Sequence, residues 1–184
     1  MPIPHSLSLR APKVLRSVEV FARARLPSRH GEFEIVSFVD EAKRTLDDVA
    51  IVRGELRGAS EVPTRVHSEC LTGDVFGSQR CDCGPQLEEA LQRIGASGGY
   101  VLYLRQEGRG IGLYAKLDAY ALQDRGLDTY AANRHLHQPE DARDYRCAAQ
   151  MLVALGVTRI RLLSNNPDKA EQLAQHGIEV IERV

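Results

Sequence analysis

The chain has 184 residues, of which 43% are apolar and 27% charged, and its formal net charge is -1 at pH 7. This size suits one substantial core, and the near-neutral charge gives no electrostatic basis for binding nucleic acid or a membrane surface. No run of about 18 apolar residues occurs, so no transmembrane helix is predicted.

The first third of the chain is predicted to be mostly antiparallel sheet. Apolar and polar residues alternate in three segments separated by Pro, Ser, Gly or charged breaks, a pattern typical of strands; they are 17–26, 31–39 and 48–56. A further strand at 64–69 leads into Cys70. Residues 1–16 have no continuous apolar stretch of the kind that a signal peptide needs, so we expect a loose arm and a cytoplasmic protein.

Helices and strands alternate in the second half. Leu87, Ala90, Leu91 and Ile94 have the spacing of an apolar helix face, as do Leu113, Leu117, Tyr120 and Ala121. The predicted helices are 85–97, 113–126, 139–156 and 168–177, and the predicted strands are 100–105, 159–163 and 178–184. The fold class is therefore α+β (mixed α/β): a mostly antiparallel, β-rich N-terminal half packed with an α/β C-terminal half, in one domain over residues 17–184.

Three of the four cysteines lie close together in the sequence. Ten residues separate Cys70 from Cys81, and one separates Cys81 from Cys83. In the cytoplasm such clusters indicate metal binding or catalysis more often than disulfides. Cys81 and Cys83 can reach one ion only if the backbone turns tightly, and we expect Gly84 to permit that turn.

Three thiols suggest an open metal site, because a structural zinc has four protein ligands and a catalytic zinc has three. Two alternatives remain at this point: His67 or an acidic residue completes a structural site, or two of the cysteines form a redox pair. Cys147 lies within an apolar helical pattern and is predicted to be an ordinary core cysteine.

Three further segments have the composition of binding loops. "RQEGRGIG" places Arg109 in a glycine-rich loop before a helix, which suits an anion contact or a plain connection. "SNNPDK" places Asn166 as a helix cap before Pro167, which suits a phosphate seat or an ordinary helix start. In "PEDARDY" the spacing of Asp141 and Arg143 is, by itself, more typical of surface charges.

Taken together, these motifs resemble one family. "RVHSECLTGDVFGSQRCDCGPQL", "RQEGRGIGL", "AYALQDRGLDTYAAN" and "LLSNNPDK" occur in the order found in GTP cyclohydrolase II, and the resemblance extends from about Ser17 to the end of the chain. It implies hydrolysis of GTP to 2,5-diamino-6-ribosylamino-4(3H)-pyrimidinone 5′-phosphate, formate and pyrophosphate in riboflavin biosynthesis. It also implies one Zn²⁺ per chain, Mg²⁺ with the GTP, and a homodimer.

The resemblance assigns roles to individual residues. It makes Cys70, Cys81 and Cys83 the zinc ligands, Asp141 a proton acceptor and Arg143 a nucleophile toward the α-phosphate, with charge stabilisation as the alternative role of Arg143. Tyr120 matches a tyrosine implicated in the ring chemistry, although its position also suits core packing. The GTP-binding residues are expected to be Arg65, Val66, His67, Ser68, Glu69, Gln86, Glu107, Gly108, Arg109, Thr129, Ser164 and Lys169.

This chain departs from the family pattern at two positions. His137 stands where glycine is usual, and Ser164 replaces a threonine but keeps the hydroxyl group. Two other functions remain under consideration: a relative that opens the ring but retains the formyl group, and a non-catalytic nucleotide-binding module with structural zinc. The residues assigned to chemistry argue against the module.

Overall fold

The computed structural model describes residues 17–127, 139 and 141–184. Within them, seven strands form one sheet: β1 (Val18–Ser28), β2 (Gly31–Asp40), β3 (Thr45–Arg53), β4 (Val62–Ser68), β5 (Gly99–Leu104), β6 (Arg159–Leu162) and β7 (Glu179–Arg183). The α-helices of the same ranges are α1 (Cys83–Ser97), α2 (Leu113–Gln123), α3 (Arg146–Ala154) and α4 (Pro167–Gln175). A π-helical turn, Leu71–Val75, follows β4, and a tight turn, Glu107–Gly110, follows β5.

The sheet is half antiparallel and half parallel, which is consistent with the predicted α+β (mixed α/β) class. Its strand order is β1-β2-β3-β5-β4-β6-β7. Neighbours from β1 to β5 are antiparallel, whereas β5, β4, β6 and β7 are parallel to one another. Because parallel strands end at the same edge of a sheet, the segments that follow β4, β5 and β6 meet there.

Helices cover both faces of the sheet. On β5, Val101 packs with Ala90 and Ile94 of α1, whereas Leu102 belongs to the larger cluster on the other face, which includes Met151 of α3. Consecutive strand residues point to opposite faces, so β5 serves both clusters. All of these side chains are buried, and they hold the parallel strand ends in fixed positions.

The predicted strands and the predicted apolar face of α1 are confirmed, but two helix predictions are wrong in part. On α2, Leu117 is 44% exposed and Ala121 is also exposed, so the predicted apolar face is not the buried one. The helix predicted from residue 139 begins only at Arg146. The carboxylate of Asp144 accepts a hydrogen bond from the N–H of Arg146, and this local bond favours a turn over an earlier helical start.

None of the helices in the described ranges combines the length and apolar composition needed to cross a bilayer.

Candidate active site

A cavity of about 490 Å³ lies at the carboxyl ends of the parallel strands. This edge is the usual binding position in open α/β sheets. Its lining carries six Arg or Lys and three Asp or Glu side chains, so it is locally basic although the whole chain has a net charge of -1. The basic side chains are Arg65, Arg80, Arg109, Lys116, Arg143 and Lys169. A cavity of this charge suits an anionic ligand.

The three clustered cysteines meet at one wall of this cavity. Cys70 follows β4, and Cys81 and Cys83 lie at the start of α1. Their three sulfur atoms lie within 4.8 Å of one another, and the Cys70 and Cys81 sulfurs are 3.6 Å apart. None of the three is disulfide-bonded. The arrangement therefore gathers three soft donors around one point, as a metal site requires.

Two glycines allow the thiols to approach one another. A Cβ atom on Gly73 would lie 3.0 Å from the Cys81 sulfur and 3.1 Å from the Cys70 sulfur. A Cβ on Gly84 would lie only 2.4 Å from the carbonyl oxygen of Gly73. Gly84 lies inside α1, so its role is close packing against the π-helical turn and not the tight turn predicted from the sequence.

The thiol cluster fits a metal with three protein ligands. Among the described residues, no His, Asp or Glu joins the three cysteines in a possible metal-binding group. His67 has a different partner: its Nε2 lies 3.1 Å from each carboxylate oxygen of Asp74. Burial and the neighbouring Cys70 thiol raise the pKa of the Cys83 thiol, and a bound cation would offset this cost by stabilising the thiolates.

Asp74 connects the sheet to the thiol cluster. Its carboxylate accepts hydrogen bonds from the Tyr103 hydroxyl at 2.8 Å and from the backbone N–H of Cys70 at 3.0 Å, and it also contacts His67. Burial opposes ionisation, but the hydrogen bond with His67 and the other contacts lower the pKa of Asp74. Because Asp74 stays charged, it fixes the backbone that presents Cys70.

Lys116 of α2 lies next to the thiols. Its Nζ donates to the Cys70 sulfur at 3.0 Å, to the Thr72 hydroxyl at 3.0 Å and to the Glu107 carboxylate at 2.8 Å. Burial alone would lower the pKa of Lys116, but its hydrogen bonds to Cys70 and Glu107 raise it. Hydrogen bonds from Lys116 and Thr72 likewise outweigh burial and lower the pKa of the Cys70 thiol.

Tyr120 lines the cavity, so its position is not that of a core tyrosine. Its hydroxyl lies 3.4 Å from the Thr72 hydroxyl, and the guanidinium of Arg80 lies 4.8 Å from the centre of its ring. Lys116 and Gln123 on the same helix also line the cavity. The side of α2 that lines the cavity therefore includes two polar side chains, Lys116 and Gln123, which a search for apolar spacing does not select.

A second part of the cavity gathers basic groups. Arg65 on β4 donates to the Leu163 carbonyl at 2.9 Å and to the Gln86 side chain at 2.7 Å. Lys169 on α4 is 5% exposed and donates to the Val66 carbonyl at 2.8 Å. Burial, with Arg65 and Arg143 nearby, lowers the pKa of Lys169 to about 7.

The glycine-rich loop packs against the segment that carries Arg143. Arg109 has φ 59, in the left-handed region that costs a non-glycine residue about 1–2 kcal/mol. Its carbonyl accepts a hydrogen bond from the Ala142 N–H at 2.9 Å, and a Cβ on Gly110 would lie 2.9 Å from the Ala142 carbonyl group. Strain of this kind concentrates at functional sites.

Asp141 and Arg143 form a close ion pair beside the cavity. The Arg143 Nε donates to an Asp141 carboxylate oxygen at 2.9 Å, and the Arg143 backbone N–H donates to the same oxygen at 3.0 Å. The side-chain hydrogen bond to Asp141 raises the pKa of Arg143. Burial opposes ionisation of Asp141, but the hydrogen bonds from Arg143 outweigh it and lower the pKa of Asp141.

The structure brings most of the predicted substrate-binding residues to the cavity. Those that line it are Arg65, His67, Ser68, Glu69, Gln86, Glu107, Gly108, Arg109, Ser164 and Lys169. The side chain of Val66 lies in the core, and its carbonyl accepts a hydrogen bond from Lys169. Thr129 and His137 lie outside the described residues.

Glu107 has an anchoring position within the cavity wall. One carboxylate oxygen accepts from the Leu71 N–H at 2.7 Å, and the other accepts from the Gly108 N–H and Lys116, both at 2.8 Å. Glu107 thus joins the π-helical turn to the glycine-rich loop.

Asn166 caps α4 at the end of the third parallel strand, β6. Its side chain accepts a hydrogen bond from the Asp168 N–H at 3.0 Å, and the first residue of α4 is Pro167, as predicted.

Several residues of the site were not identified from the sequence, among them Lys116, Asp74 and Tyr103. Each is engaged through contacts between segments that are far apart in the chain, such as Lys116 with Cys70 and Tyr103 with Asp74. The one available signal for Lys116 was its helical spacing from Tyr120 and Gln123.

Residues 19–184 match a protein family described as GTP cyclohydrolase II. The chain is 54% identical over 168 residues to proteins named GTP cyclohydrolase-2 from Vibrio parahaemolyticus and Vibrio vulnificus, and the match covers 88% of this chain and 84% of each relative. It is also 54% identical over 175 residues to the riboflavin biosynthesis protein RibBA of Mycobacterium tuberculosis. That match covers 92% of this chain but 41% of RibBA.

A solved structure also matches over 92% of this chain and 40% of its own, at 20% identity and a TM-score of 0.48. It is RibBX, a two-domain 3,4-dihydroxy-2-butanone 4-phosphate synthase from A. baumannii.

Proposed function

Because the chain belongs to the GTP cyclohydrolase II family, which opens the ring of GTP in riboflavin biosynthesis, we propose that it releases both formate and pyrophosphate from GTP. The product is then 2,5-diamino-6-ribosylamino-4(3H)-pyrimidinone 5′-phosphate. One observation carries the proposal: a single cavity contains a three-thiol cluster and a separate group of basic side chains. Ring hydrolysis and phosphate chemistry need these two environments.

We assign a zinc ion to Cys70, Cys81 and Cys83, one per chain. Three thiol donors suit zinc, and the lack of a fourth His, Asp or Glu donor in the described part of the chain supports an open, catalytic site. Zinc bound there would lower the pKa of water and supply positive charge beside the guanine ring. Asp74 holds the Cys70 backbone in place for this role.

Tyr120 is proposed to move a proton during ring hydrolysis. Its hydroxyl is within reach of Thr72, which in turn contacts the Cys70 sulfur at 3.6 Å. A phenol next to a reacting group can donate or accept a proton through such a contact. A role for Tyr120 in the second hydrolysis would favour the complete reaction over the alternative in which the formyl group is retained, because that alternative needs one hydrolysis fewer.

Tyr120→Phe should reduce the rate of formate release by roughly 100-fold or more, the usual contribution of a positioned acid or base. The change removes one hydroxyl group and keeps the ring, so the thermal unfolding midpoint should stay close to that of the wild type. Formate is measured by an enzyme-coupled assay. Tyr114→Phe is the matched control, because Tyr114 is on the same helix but 76% exposed. If Tyr120→Phe releases formate at the wild-type rate, the Tyr120 hydroxyl has no role in the reaction and the residue contributes only packing.

The phosphate groups of GTP, with Mg²⁺, are assigned to the basic part of the cavity. Arg65, Lys169 and Arg143 bring positive charge to one region, as the lowered pKa of Lys169 indicates. Such charge stabilises the transition state of phosphoryl transfer. The ion pair with Asp141 keeps Arg143 protonated, which supports charge stabilisation by Arg143 over covalent attack by it.

Substrate affinity should depend on pH through Lys169. Its pKa of about 7 in the free protein rises when a phosphate binds, because an anion favours the ammonium form. Below pH 7 Lys169 is already charged and binding takes up no proton from it. Above pH 7 binding requires proton uptake, so affinity should fall by up to about tenfold per pH unit.

This dependence is measured by calorimetric titration with a non-hydrolysable GTP analogue. The titrations cover a range from about pH 6 to about pH 9, on both sides of the transition. Lys169→Met should bind more weakly at low pH and lose the decline above pH 7. An identical pH profile in the variant would exclude Lys169 as the group responsible.

The family resemblance also supports a homodimer in the cytoplasm, which we include in the proposal. The formyl-retaining alternative is distinguished by mass spectrometry of the product formed from GTP and Mg²⁺. The proposed reaction yields a product without the C8 carbon, whereas the alternative yields one heavier by the formyl group. A mass equal to that of unreacted GTP would contradict both.

A further inference from the structure

The ammonium group of Lys116 has a complete set of acceptors at the edge of the thiol cluster. Its three N–H groups have three partners: Cys70, Thr72 and Glu107, at 3.0, 3.0 and 2.8 Å. The side chain is 12% exposed. A buried lysine with all its donors engaged has one fixed position, and here that position is in contact with a proposed metal ligand.

Lys116 offsets part of the negative charge around this position. Three thiolates and one divalent cation sum to a net charge of -1, and the buried carboxylate of Glu107 adds a further negative charge nearby. Among the residues that the structure describes, Lys116 is the cation that hydrogen-bonds a sulfur of the cluster. Uncompensated negative charge in a buried site is costly.

We propose that Lys116 is a positioning residue for the metal: its ammonium offsets part of the negative charge at the thiolate cluster and fixes the Cys70 sulfur, so that zinc is held tightly. This inference rests on the proposed zinc site. Hydrogen bonds to a metal ligand from the surrounding shell typically change metal affinity by roughly 10–100-fold. The alternative is that Lys116 only joins α2 to Glu107 as a structural ion pair, in which case zinc affinity would not depend on it.

Zinc affinity of the full chain, measured by competition with a chromophoric chelator, separates these roles. Wild type should bind one zinc per chain. Lys116→Met, which keeps the length and removes the charge, should bind roughly 10–100-fold more weakly, and Lys116→Arg should lie closer to wild type. Lys169→Met is the matched control, because Lys169 is a second buried lysine of the same cavity that donates to a carbonyl group. It should bind zinc like the wild type.

A spectroscopic signature tests the sulfur contact directly. In the cobalt-substituted chain, the sulfur-to-cobalt charge-transfer band should shift in Lys116→Met and not in Lys169→Met. Lys116→Gln serves as a second neutral variant should the Met variant fail to fold, and it should show the same loss of zinc affinity.

The outcomes distinguish failure of the role of Lys116 from failure of the proposed zinc site on which it rests. Wild-type chain that binds no zinc would overturn the proposed zinc site and this inference with it. Wild-type chain that binds zinc, together with neutral Lys116 variants of equal zinc affinity and unshifted cobalt band, would overturn the role of Lys116 and leave the zinc site standing.

Discussion

Cys81→Ser should remove nearly all formate release from GTP while part of the pyrophosphate release remains, so that GMP accumulates. The variant loses one of the three thiols that we propose as ligands of the metal acting in ring hydrolysis. Loss of several kcal/mol of metal-derived stabilisation corresponds to roughly a 1000-fold lower rate of formate release. The basic groups proposed to bind the phosphates, Arg65, Lys169 and Arg143, are unchanged in this variant. Formate and pyrophosphate are measured in parallel, and GMP by chromatography.

The fourth cysteine provides the control for this experiment. Cys147 lies on α3, where its thiol contacts Asp48 at 3.3 Å, and it does not line the cavity. Cys147→Ser should therefore release formate at nearly the wild-type rate. Equal loss of formate and pyrophosphate in Cys81→Ser would contradict the separation of the two chemistries.

Arg143→Ala should reduce the rate of pyrophosphate release by roughly 100- to 1000-fold, the usual cost of removing a group that stabilises developing charge. The change also leaves Asp141 without its ion-pair partner, which adds repulsion toward an anionic substrate. Formate release should remain measurable, because the thiol cluster is intact and the ring of the triphosphate can still be opened. The product would then retain its phosphates.

Arg159→Ala is the matched control, since Arg159 forms an exposed ion pair with Glu179 at 2.8 Å and lies outside the cavity lining. Complete loss of formate in Arg143→Ala would instead indicate that a covalent intermediate must form before the ring is attacked. An unchanged rate of pyrophosphate release would exclude both roles of Arg143 and leave Lys169 and Arg109 as the candidates.

Local patterns were sufficient for the strands and for the core face of α1. Alternation of apolar and polar residues predicted β2, and the spacing of Ala90 and Ile94 predicted the buried face of α1. Both patterns record burial against a neighbour, so they can be identified without knowing which neighbour it is. The position of β5 between β3 and β4 could not be predicted in this way, because strand order depends on pairing between distant segments.

The site was only partly predictable for the same reason. The spacing of Cys70, Cys81 and Cys83 predicted a metal site, since all three thiols lie within one short segment. Lys116 was missed because its role depends on its contact with Cys70, which is 46 residues away in the chain. The loop at Asp141 was mistaken for a helix start, because acidic residues favour a first helical turn and also form the side-chain turns that replace it.

The fate of the C8 carbon of GTP tests the central claim most directly. The chain is incubated with Mg²⁺ and GTP labelled with ¹³C at C8, and the label is followed by NMR. We predict that the signal moves from the guanine ring to free formate, one formate for each GTP consumed. Label that stays in the product as a formyl group, or that remains in intact GTP, would contradict the account.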